Sequence, residues 1–261
     1  MENQTVTSKK VPMSQKIAFG VGMFANQMFP AALGVFIIVL VQDLGFAALL
    51  WGIIQFAPRI FDAITDPIMG FISDNTKSKW GRRRQYVFIG GILMGIAYIA
   101  MWQIHRENGI LFNFIYFFLW SLVFYLGLTI FSVPYVAMGY EISEDFHERT
   151  QIMAIAQFIG QWAWVIAPWF WVILYDPEWF PIGADQGVRE LSVWVALSCT
   201  LFAIVPAIFI KSKSTLDRTD FLPINASYVM KSIKGIFLSA FEAFKIKQFR
   251  KIAFATFFFF F

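Results

Sequence analysis

Three ionisable side chains, Arg59, Asp62 and Asp66, lie inside a segment that is otherwise apolar from residue 49 to residue 72. Their spacing of three and four residues places all three on one face of a helix. An ionised carboxylate facing lipid is costly, so this face must point to a bundle interior or a water-filled cavity. The three charges sum to −1, and one monovalent cation or one proton would neutralise them.

This balance of charge predicts a cation-binding site in which Asp62 and Asp66 are ligands and Arg59 is their charge partner. Thr65, between the aspartates, and Thr129, at a similar depth in a later apolar segment, add hydroxyl oxygens. Carboxylate and hydroxyl oxygens are hard ligands that suit a hard cation such as Na⁺. Because net charge is costly to desolvate, a site without its cation resists closure, and a loaded site closes more readily.

Two other interpretations of these charges stay open. Arg59 and the aspartates could form a buried ion pair that only holds helices together, although one negative charge would then be unbalanced. An intramembrane aspartyl protease would need two carboxylates that share a proton across a cleft, usually on two facing helices. Both aspartates lie on one helix, one turn apart, so the spacing disfavours a protease.

The composition predicts that a membrane-spanning scaffold holds this site. Apolar residues make up 58% of the 261 residues and charged residues only 15%, whereas soluble domains have about 25% charged residues. Apolar runs of about 20 residues, long enough to cross a bilayer core, indicate six transmembrane helices. The predicted spans are 17–41, 49–72, 86–104, 110–138, 151–175 and 191–210.

The chain divides into four predicted regions: a cytoplasmic tail (1–16), a six-helix bundle (17–210), a cytoplasmic middle loop (211–250) and the start of a seventh span (251–261). The seventh apolar run stops after five phenylalanines, so we expect the chain to be truncated. The tail has no signal-peptide pattern, and the first span is expected to target the chain to the membrane. A single cysteine, Cys199, excludes an internal disulfide and a cysteine metal cluster.

Basic residues predict the orientation of the bundle. A cytoplasmic N-terminus places 18 of the 21 Lys and Arg residues inside, and only Arg106 and Arg189 outside. In the middle loop, one helical face is apolar and the other is mainly basic, which is typical of a helix lying in the membrane interface. Its function could be that of a hinge or latch between two halves, and the alternative is a solvated basic linker helix. The apolar face comprises Val229, Ile233, Ile236, Phe237, Ala240 and Phe244, and Lys231, Lys234, Glu242 and Lys245 lie opposite.

A short basic loop follows the charged span. Gly70, Asp74 and Gly81 precede three consecutive arginines, Arg82, Arg83 and Arg84. Gly70 is expected to allow close helix contact, Asp74 to lie at a helix end, and the arginines to pair with carboxylates or helix C-termini. Positive-inside charge alone explains the arginines but not the spacing of the other residues.

The Gly-x-x-x-Asp…Gly-Arg-Arg-Arg pattern resembles the loop signature of the major facilitator superfamily. Together with Arg59-x-x-Asp62-x-x-x-Asp66-Pro67, it resembles the glycoside-pentoside-hexuronide:cation symporters, the melibiose permease-like family. This resemblance implies the N-terminal six-helix bundle of a 12-helix fold, although no internal 3+3 repeat is visible in the sequence. It also implies that Asp62, Asp66, Thr65 and Thr129 coordinate the coupling cation. Thr65 replaces an asparagine of the family, which leaves Na⁺, Li⁺ and H⁺ open.

The sugar-site positions of the family match less well. Acidic residues on spans one and four are replaced by Gln27 and Ser132, and an arginine on span five by Gln157. The remaining polar candidates for substrate binding are Asn26 and Gln161, and Trp162 or Trp164 could stack on a sugar. An aromatic belt at the membrane interface is the alternative for the span-five tryptophans, with Trp169 and Trp171 nearest the outer boundary.

The resemblance implies a transporter, not an enzyme, that carries out Na⁺- or H⁺-coupled symport of a sugar or glycoside across the cytoplasmic membrane. The expected partners are a small-molecule substrate and membrane lipid, without nucleic acid or any cofactor besides the coupling cation. The protein is expected to be a monomer with its own missing C-terminal six-helix half. In the complete transporter, the 70–84 loop is expected to help stabilise the outward-facing state. A lysolipid-type transporter and a non-transporting membrane sensor are the alternatives.

Overall fold

The chain is all-helical over the residues that the structure describes. A computed structural model describes residues 10–212, 214–216 and 221–260, apart from the side chains at 226, 237, 240 and 257–260. The helices are α1 (Met13–Gln42), α2 (Ala48–Asp74), α3 (Arg84–Met101), α4 (Ile110–Glu141), α5 (Phe146–Leu174), α6 (Ala184–Phe209), α7 (Ala226–Lys245) and α8 (Lys247–Phe260). A short 3-10 turn, Arg106–Asn108, precedes α4.

The predicted six-helix bundle is confirmed. Helices α1, α3, α4, α5 and α6 are long and apolar enough to cross a membrane. Helix α2 carries the charged residues, is 27 residues long and packs against α4. Each predicted span corresponds to one continuous helix, although α3 ends at Met101, three residues before the predicted end of its span. A backbone in lipid must satisfy its hydrogen bonds internally, which favours such unbroken helices. The division of the chain into four regions stays a prediction.

Helix α6 begins earlier than hydropathy predicted. It starts at Ala184 instead of residue 191, and its first turns are polar. Arg189 lies 3.4 Å from Asp185, four residues before it on the same helical face. Such pairs stabilise a helix outside its apolar region, which explains the early start.

Helix α5 also begins early, at Phe146 instead of residue 151, and its first turn is tied to α1. The Asp145 side chain caps the helix by accepting a hydrogen bond from the backbone N–H of Glu148 at 2.8 Å. The Glu148 carboxylate lies 3.0 Å from the Lys16 ammonium group, and only 10% and 6% of these two side chains are exposed. The starts of α1 and α5 are therefore joined by a buried ion pair.

The six helices alternate in direction, so the bundle has two distinct ends. Arg82 in the α2–α3 turn pairs with Glu141 at the end of α4. Arg84 at the start of α3 donates to the Ala207 carbonyl near the end of α6 at 2.6 Å. We call this end of the bundle the basic end. It comprises residues 10–16, 74–84, 141–149, 207–212, 214–216 and 221–225.

The helix neighbours repeat within the bundle. Helix α1 packs on α5 and α6, α3 packs on α4 and α6, and α2 packs on α4. If α1–α3 are exchanged with α4–α6, this set of neighbours is unchanged: the α1–α5 pair becomes α4–α2, and the α3–α4 pair becomes α6–α1. The packing therefore has the 3+3 arrangement of transporter inverted repeats, which the sequence alone does not reveal.

Glycines bring α3 and α4 into backbone contact. A Cβ atom at Gly90 would lie 2.5 Å from the backbone nitrogen of Phe131, and one at Gly127 would lie 2.8 Å from that of Met94. Neither backbone can move aside without separating the helices. Both positions therefore require glycine, and α4 is held firmly where it faces α2.

The segment after α6 lies along the α2–α3 turn. The Thr215 N–H donates to the Ser78 carbonyl at 3.1 Å, and the Ser78 N–H donates to the Thr215 hydroxyl at 3.0 Å. Farther on, the Leu222 N–H donates to the Asn75 side chain at 2.9 Å. These hydrogen bonds fix the start of the middle loop on the basic end.

The amphipathic stretch of the middle loop forms α7, which contacts α2. On its predicted apolar face, Val229 and Ile233 are partly buried, whereas Ile236 and Phe244 are 46% and 50% exposed. The side chains of Phe237 and Ala240 lie outside those described. Half of the described residues of this apolar face are thus exposed to surroundings other than the bundle.

Candidate functional site

The centre of the candidate cation site joins α2 to α4. The Thr129 hydroxyl donates to a carboxylate oxygen of Asp66 at 2.8 Å, and Thr129 itself is buried. The Thr65 hydroxyl lies 3.4 Å from the Thr129 hydroxyl and donates to the Phe61 carbonyl at 3.0 Å. Asp66 is exposed at the surface of α2. Three of the four predicted ligands are therefore brought together, with one accessible carboxylate.

Asp62 lies one helical turn from Asp66 and is more enclosed. Its Oδ2 atom is 4.0 Å from an Arg59 nitrogen, whereas its Oδ1 atom is buried and has no hydrogen-bond partner among the described residues. The Arg59 side chain is 71% exposed, and its guanidinium lies 5.9 Å from the centre of the Tyr125 ring. The contact between Arg59 and Asp62 is long and open to the surroundings.

These distances bear on the structural alternative for the three charges. A buried ion pair that holds helices together needs close geometry and hydrogen bonds to its remaining oxygens. Here the exposed Arg59 leaves one Asp62 oxygen unsatisfied, and both residues belong to the same helix. The donor set of two carboxylates and two hydroxyls fits a hard monovalent cation, or a proton on one carboxylate.

The candidate solute residues form one close contact between α1 and α5. The Trp164 indole N–H donates to the Gln27 side-chain oxygen at 3.0 Å. A Cβ atom at Gly160 would lie 2.6 Å from the Met23 side chain, so this glycine allows α1 and α5 to approach closely beside the contact. Trp164 is 49% exposed, which leaves part of its ring accessible.

The structure does not bring the other solute candidates into this contact. The Asn26 amide reaches only the Met23 sulfur, at 3.8 Å. In the described part of the chain, no side-chain hydrogen bond joins Ser132, Gln157 or Gln161 to Gln27 or Trp164. Gln157 instead lines a cavity at the basic end.

The arginines of the 70–84 loop pair within the bundle. Arg83 pairs with Asp74, which is the last residue of α2, and its second guanidinium nitrogen lies 3.0 Å from Glu141. Arg82 also pairs with Glu141 and donates to the Asp74 carbonyl at 3.3 Å. Arg84 binds the end of α6 through the Ala207 carbonyl. The loop thus connects the ends of α2, α4 and α6.

The two glycines of the loop differ in what they require. Gly81 has φ +88°, a left-handed conformation that favours glycine and lets the turn enter the arginine run. A Cβ atom at Gly70 would meet only Val133, at 3.8 Å, which is an ordinary van der Waals contact. The expectation that Gly70 allows close helix contact stays a prediction.

Two cavities lie at the basic end, away from the aspartates. One, of about 640 Å³, lies between the end of α4, the start of α5 and the segment after α6. The second, of about 580 Å³, follows the first turns of α5. Neither is lined by Asp62, Asp66 or Gln27. The cation candidates and the Gln27–Trp164 contact instead lie on helix faces of the bundle.

Sequence reasoning missed two residues of these networks. The Arg59 guanidinium lies over the Tyr125 ring, and Glu141 forms ion pairs with both Arg82 and Arg83. Tyr125 is one helical turn before Thr129, so a helical projection of the fourth span could have suggested it. Glu141 reaches these arginines because of how α4 lies against the loop, and no local sequence pattern indicates that placement.

Comparison with known proteins gives a family match over most of the bundle. A family model described as MFS/sugar transport protein matches residues 18–178, more than half of the chain. The match covers α1 to α5, including all the candidate cation and solute residues.

Individual relatives include symporters with different printed names. An uncharacterized symporter of Synechocystis is 33% identical over 156 residues, or 58% of this chain and 29% of the relative. A lactose permease of Lactobacillus helveticus is 28% identical over 182 residues, or 64% and 28%. A sodium-dependent lysophosphatidylcholine symporter of Xenopus tropicalis is 30% identical over 146 residues, or 54% and 27%. The matched part of the chain spans less than a third of each relative.

Proposed function

The chain belongs to the MFS/sugar transport protein family, and from this premise we propose that it is the cation-binding half of a Na⁺- or H⁺-coupled symporter for a small solute. The observation that carries the proposal is the arrangement of Asp62 and Asp66. One oxygen of Asp62 is buried and has no hydrogen-bond partner in the described part of the chain, and one turn away the Asp66 carboxylate is held by the Thr129 hydroxyl. Both require neutralisation before the site can close.

The coupling follows from charge. With Arg59 counted, the empty site carries −1, and an occluded state without its cation would contain an uncompensated charge in a low-dielectric interior. A bound Na⁺, or a proton on Asp62, removes that cost. Symport then results because the two halves of the transporter close around the solute only when the cation is present.

A sugar or glycoside is the proposed solute, bound between α1 and α5 close to the Gln27–Trp164 contact. An indole ring offers a flat apolar face to a sugar, and an amide offers hydrogen bonds to hydroxyl groups. The lactose permease among the relatives supports this class. We place the basic end in the cytoplasm, as the positive-inside rule predicts, and the transporter functions as a monomer that includes a second six-helix half.

Thermal unfolding of the purified full-length gene product tests the cation site without knowledge of the solute. Tm is measured in Na⁺, Li⁺ and K⁺ for the wild type, Asp62→Asn and Asp66→Asn, with Glu242→Gln on α7 as a matched control. A ligand at a hundred times its Kd stabilises the folded state by about 2.7 kcal/mol. We expect a Na⁺- or Li⁺-specific rise in Tm that both aspartate variants lose and Glu242→Gln retains.

Other outcomes of this experiment have definite meanings. If no cation raises Tm and both aspartate variants are as stable as the wild type, the coupling ion is H⁺, and a pH gradient should drive uptake. If both variants are severely destabilised and no cation raises the wild-type Tm, the aspartates are structural, and the symport proposal fails.

A lysolipid is the second candidate solute. The exposed face of α5 is strongly aromatic, with Phe158, Trp162 and Trp164 exposed to 68%, 51% and 49%. The residues at the sugar-site positions, Gln27, Ser132 and Gln157, also carry no charge. One relative is named as a lysophosphatidylcholine symporter. Competition for Na⁺-driven uptake separates the candidates, because a sugar transporter is inhibited by glycosides and a lipid transporter by lysolipids.

A further inference from the structure

The two cavities at the basic end adjoin each other. Both are lined by Tyr140, at the end of α4, and by Arg149, in the first turns of α5. The larger cavity, of about 640 Å³, is mostly polar in its residues, and we call it the head cavity. The smaller, of about 580 Å³, runs along α5, and we call it the tail cavity. Arg149 thus stands at the border between a polar and an apolar compartment.

The head cavity has cations that no described carboxylate neutralises. Arg82 is engaged by Glu141. In contrast, no ion pair in the described residues involves Arg149 or Lys211, which approach the cavity from α5 and from the segment after α6. Glu144 is the other acidic residue of the lining. The charged side chains of the lining sum to +1, which favours an anionic occupant.

Hydroxyl groups add donors to the same cavity. The Ser143 oxygen accepts a hydrogen bond from the Asp145 N–H at 3.2 Å, and the Ser214 oxygen accepts one from the Leu216 N–H at 3.4 Å. Each hydroxyl proton is therefore left to donate elsewhere. Two cations and two hydroxyl donors form the kind of donor set that binds phosphate oxygens.

The tail cavity has the opposite character. Besides Tyr140 and Arg149, its lining includes Phe146, Met153 and Ala154. Phe146 and Tyr140 are 69% and 55% exposed, so the cavity is open along the side of the bundle. It lies on α5 within a helix long and apolar enough to cross a membrane, where the surroundings include acyl chains.

We propose that these adjoining cavities bind one anionic phospholipid, with its phosphate between Arg149 and Lys211 in the head cavity and an acyl chain in the tail cavity. This site is separate from the cation site and from the Gln27–Trp164 contact, and Gln157, one of the solute candidates, lines its tail cavity. A soluble phosphate compound matches only the head cavity, whereas a phospholipid matches both compartments and the position at the end of the transmembrane helices. The lipid joins the start of α5 to the segment that leads into α7.

The test measures stabilisation of the full-length gene product, in detergent, by added dioleoylphosphatidylglycerol. Dioleoylphosphatidylcholine and glycerol 3-phosphate serve as the zwitterionic and tail-free probes. We expect phosphatidylglycerol to raise Tm at a concentration at least about tenfold below that of either other probe, because basic groups near anionic lipid each strengthen binding several-fold. Arg149→Gln combined with Lys211→Gln should remove this preference.

Two further variants make the test specific. Lys234→Gln combined with Lys245→Gln removes two exposed lysines from α7 and should retain the preference for phosphatidylglycerol. Ala154→Phe should fill the tail cavity and weaken phosphatidylglycerol while leaving any glycerol 3-phosphate response unchanged. Equal responses to phosphatidylglycerol and phosphatidylcholine, or an unchanged preference in Arg149→Gln/Lys211→Gln, would overturn the proposal. A glycerol 3-phosphate response as strong as that of the lipid would show a soluble-phosphate site instead.

Discussion

The Thr129 hydroxyl on α4 donates a 2.8 Å hydrogen bond to the Asp66 carboxylate on α2. This contact joins the helix that carries the candidate ligands to the helix that is fixed against α3. A carboxylate on an exposed helix face would otherwise sample several rotamers. The hydrogen bond selects one of them before any ion arrives.

Thr129→Val should weaken cation binding with little change in the fold. Valine keeps the shape of threonine but removes a hydrogen bond to a charged group, which is worth about 1.5–3 kcal/mol. We expect the Na⁺ concentration that gives half of the full Tm rise to increase about tenfold or more. Thr129→Ser should largely restore it. Thr150→Val, which loses only a hydroxyl bond to the Phe146 carbonyl of its own helix, should leave Na⁺ binding unchanged.

Arg59→Gln should cost little stability and strengthen cation binding. The guanidinium is 71% exposed and 4.0 Å from Asp62, and such exposed pairs contribute less than about 1 kcal/mol. Removing its positive charge leaves the aspartates at −2 and increases their attraction for Na⁺. Urea unfolding and Na⁺ titration measure the two effects. A loss of stability several times larger, without tighter Na⁺ binding, would support a structural ion pair.

The buried pair between Lys16 and Glu148 should behave in the opposite way. Removing one partner leaves the other charge without its ion pair at a little-exposed site, which is destabilising. Lys16→Met is therefore expected to lower Tm strongly. Lys16→Met combined with Glu148→Met should recover much of the loss, because no unpaired charge then remains. Additive losses in the double variant would contradict the pairing.

Two glycine substitutions should separate helix packing from helix propensity. Gly90→Ala places a methyl group 2.5 Å from the Phe131 backbone nitrogen, and such overpacking costs about 1–3 kcal/mol. At Gly52 on α2, a Cβ atom would meet nothing within 4 Å. Gly52→Ala is expected to be neutral or slightly stabilising, since alanine favours helix. Equal Tm values for both variants would contradict the close approach of α3 and α4.

The helices could be predicted from hydropathy because lipid imposes helical hydrogen bonding on any long apolar run. Their ends could not, because polar pairs such as Asp185–Arg189 extend a helix beyond its apolar run. Spacing alone placed Asp62 and Asp66 on one face, since helical geometry is local.

Contacts between helices had no such local signal. Tyr125 and Glu141 enter their networks through the register of α4 against α2 and the α2–α3 turn. Gln157 and Gln161 were grouped with Gln27 by polarity, but among the described residues no side-chain hydrogen bond joins either of them to Gln27 or Trp164.

The repeated arrangement of helix neighbours has a consequence for the two candidate sites. The exchange of α1–α3 with α4–α6 converts the α2–α4 pair, joined by Asp66 and Thr129, into the α5–α1 pair, joined by Trp164 and Gln27. The same type of helix–helix interface thus occurs twice in one bundle. One copy is closed by a carboxylate and a hydroxyl, and the other by an indole and an amide. The arrangement of the helices is repeated, and the two interfaces differ in chemistry because they carry different side chains.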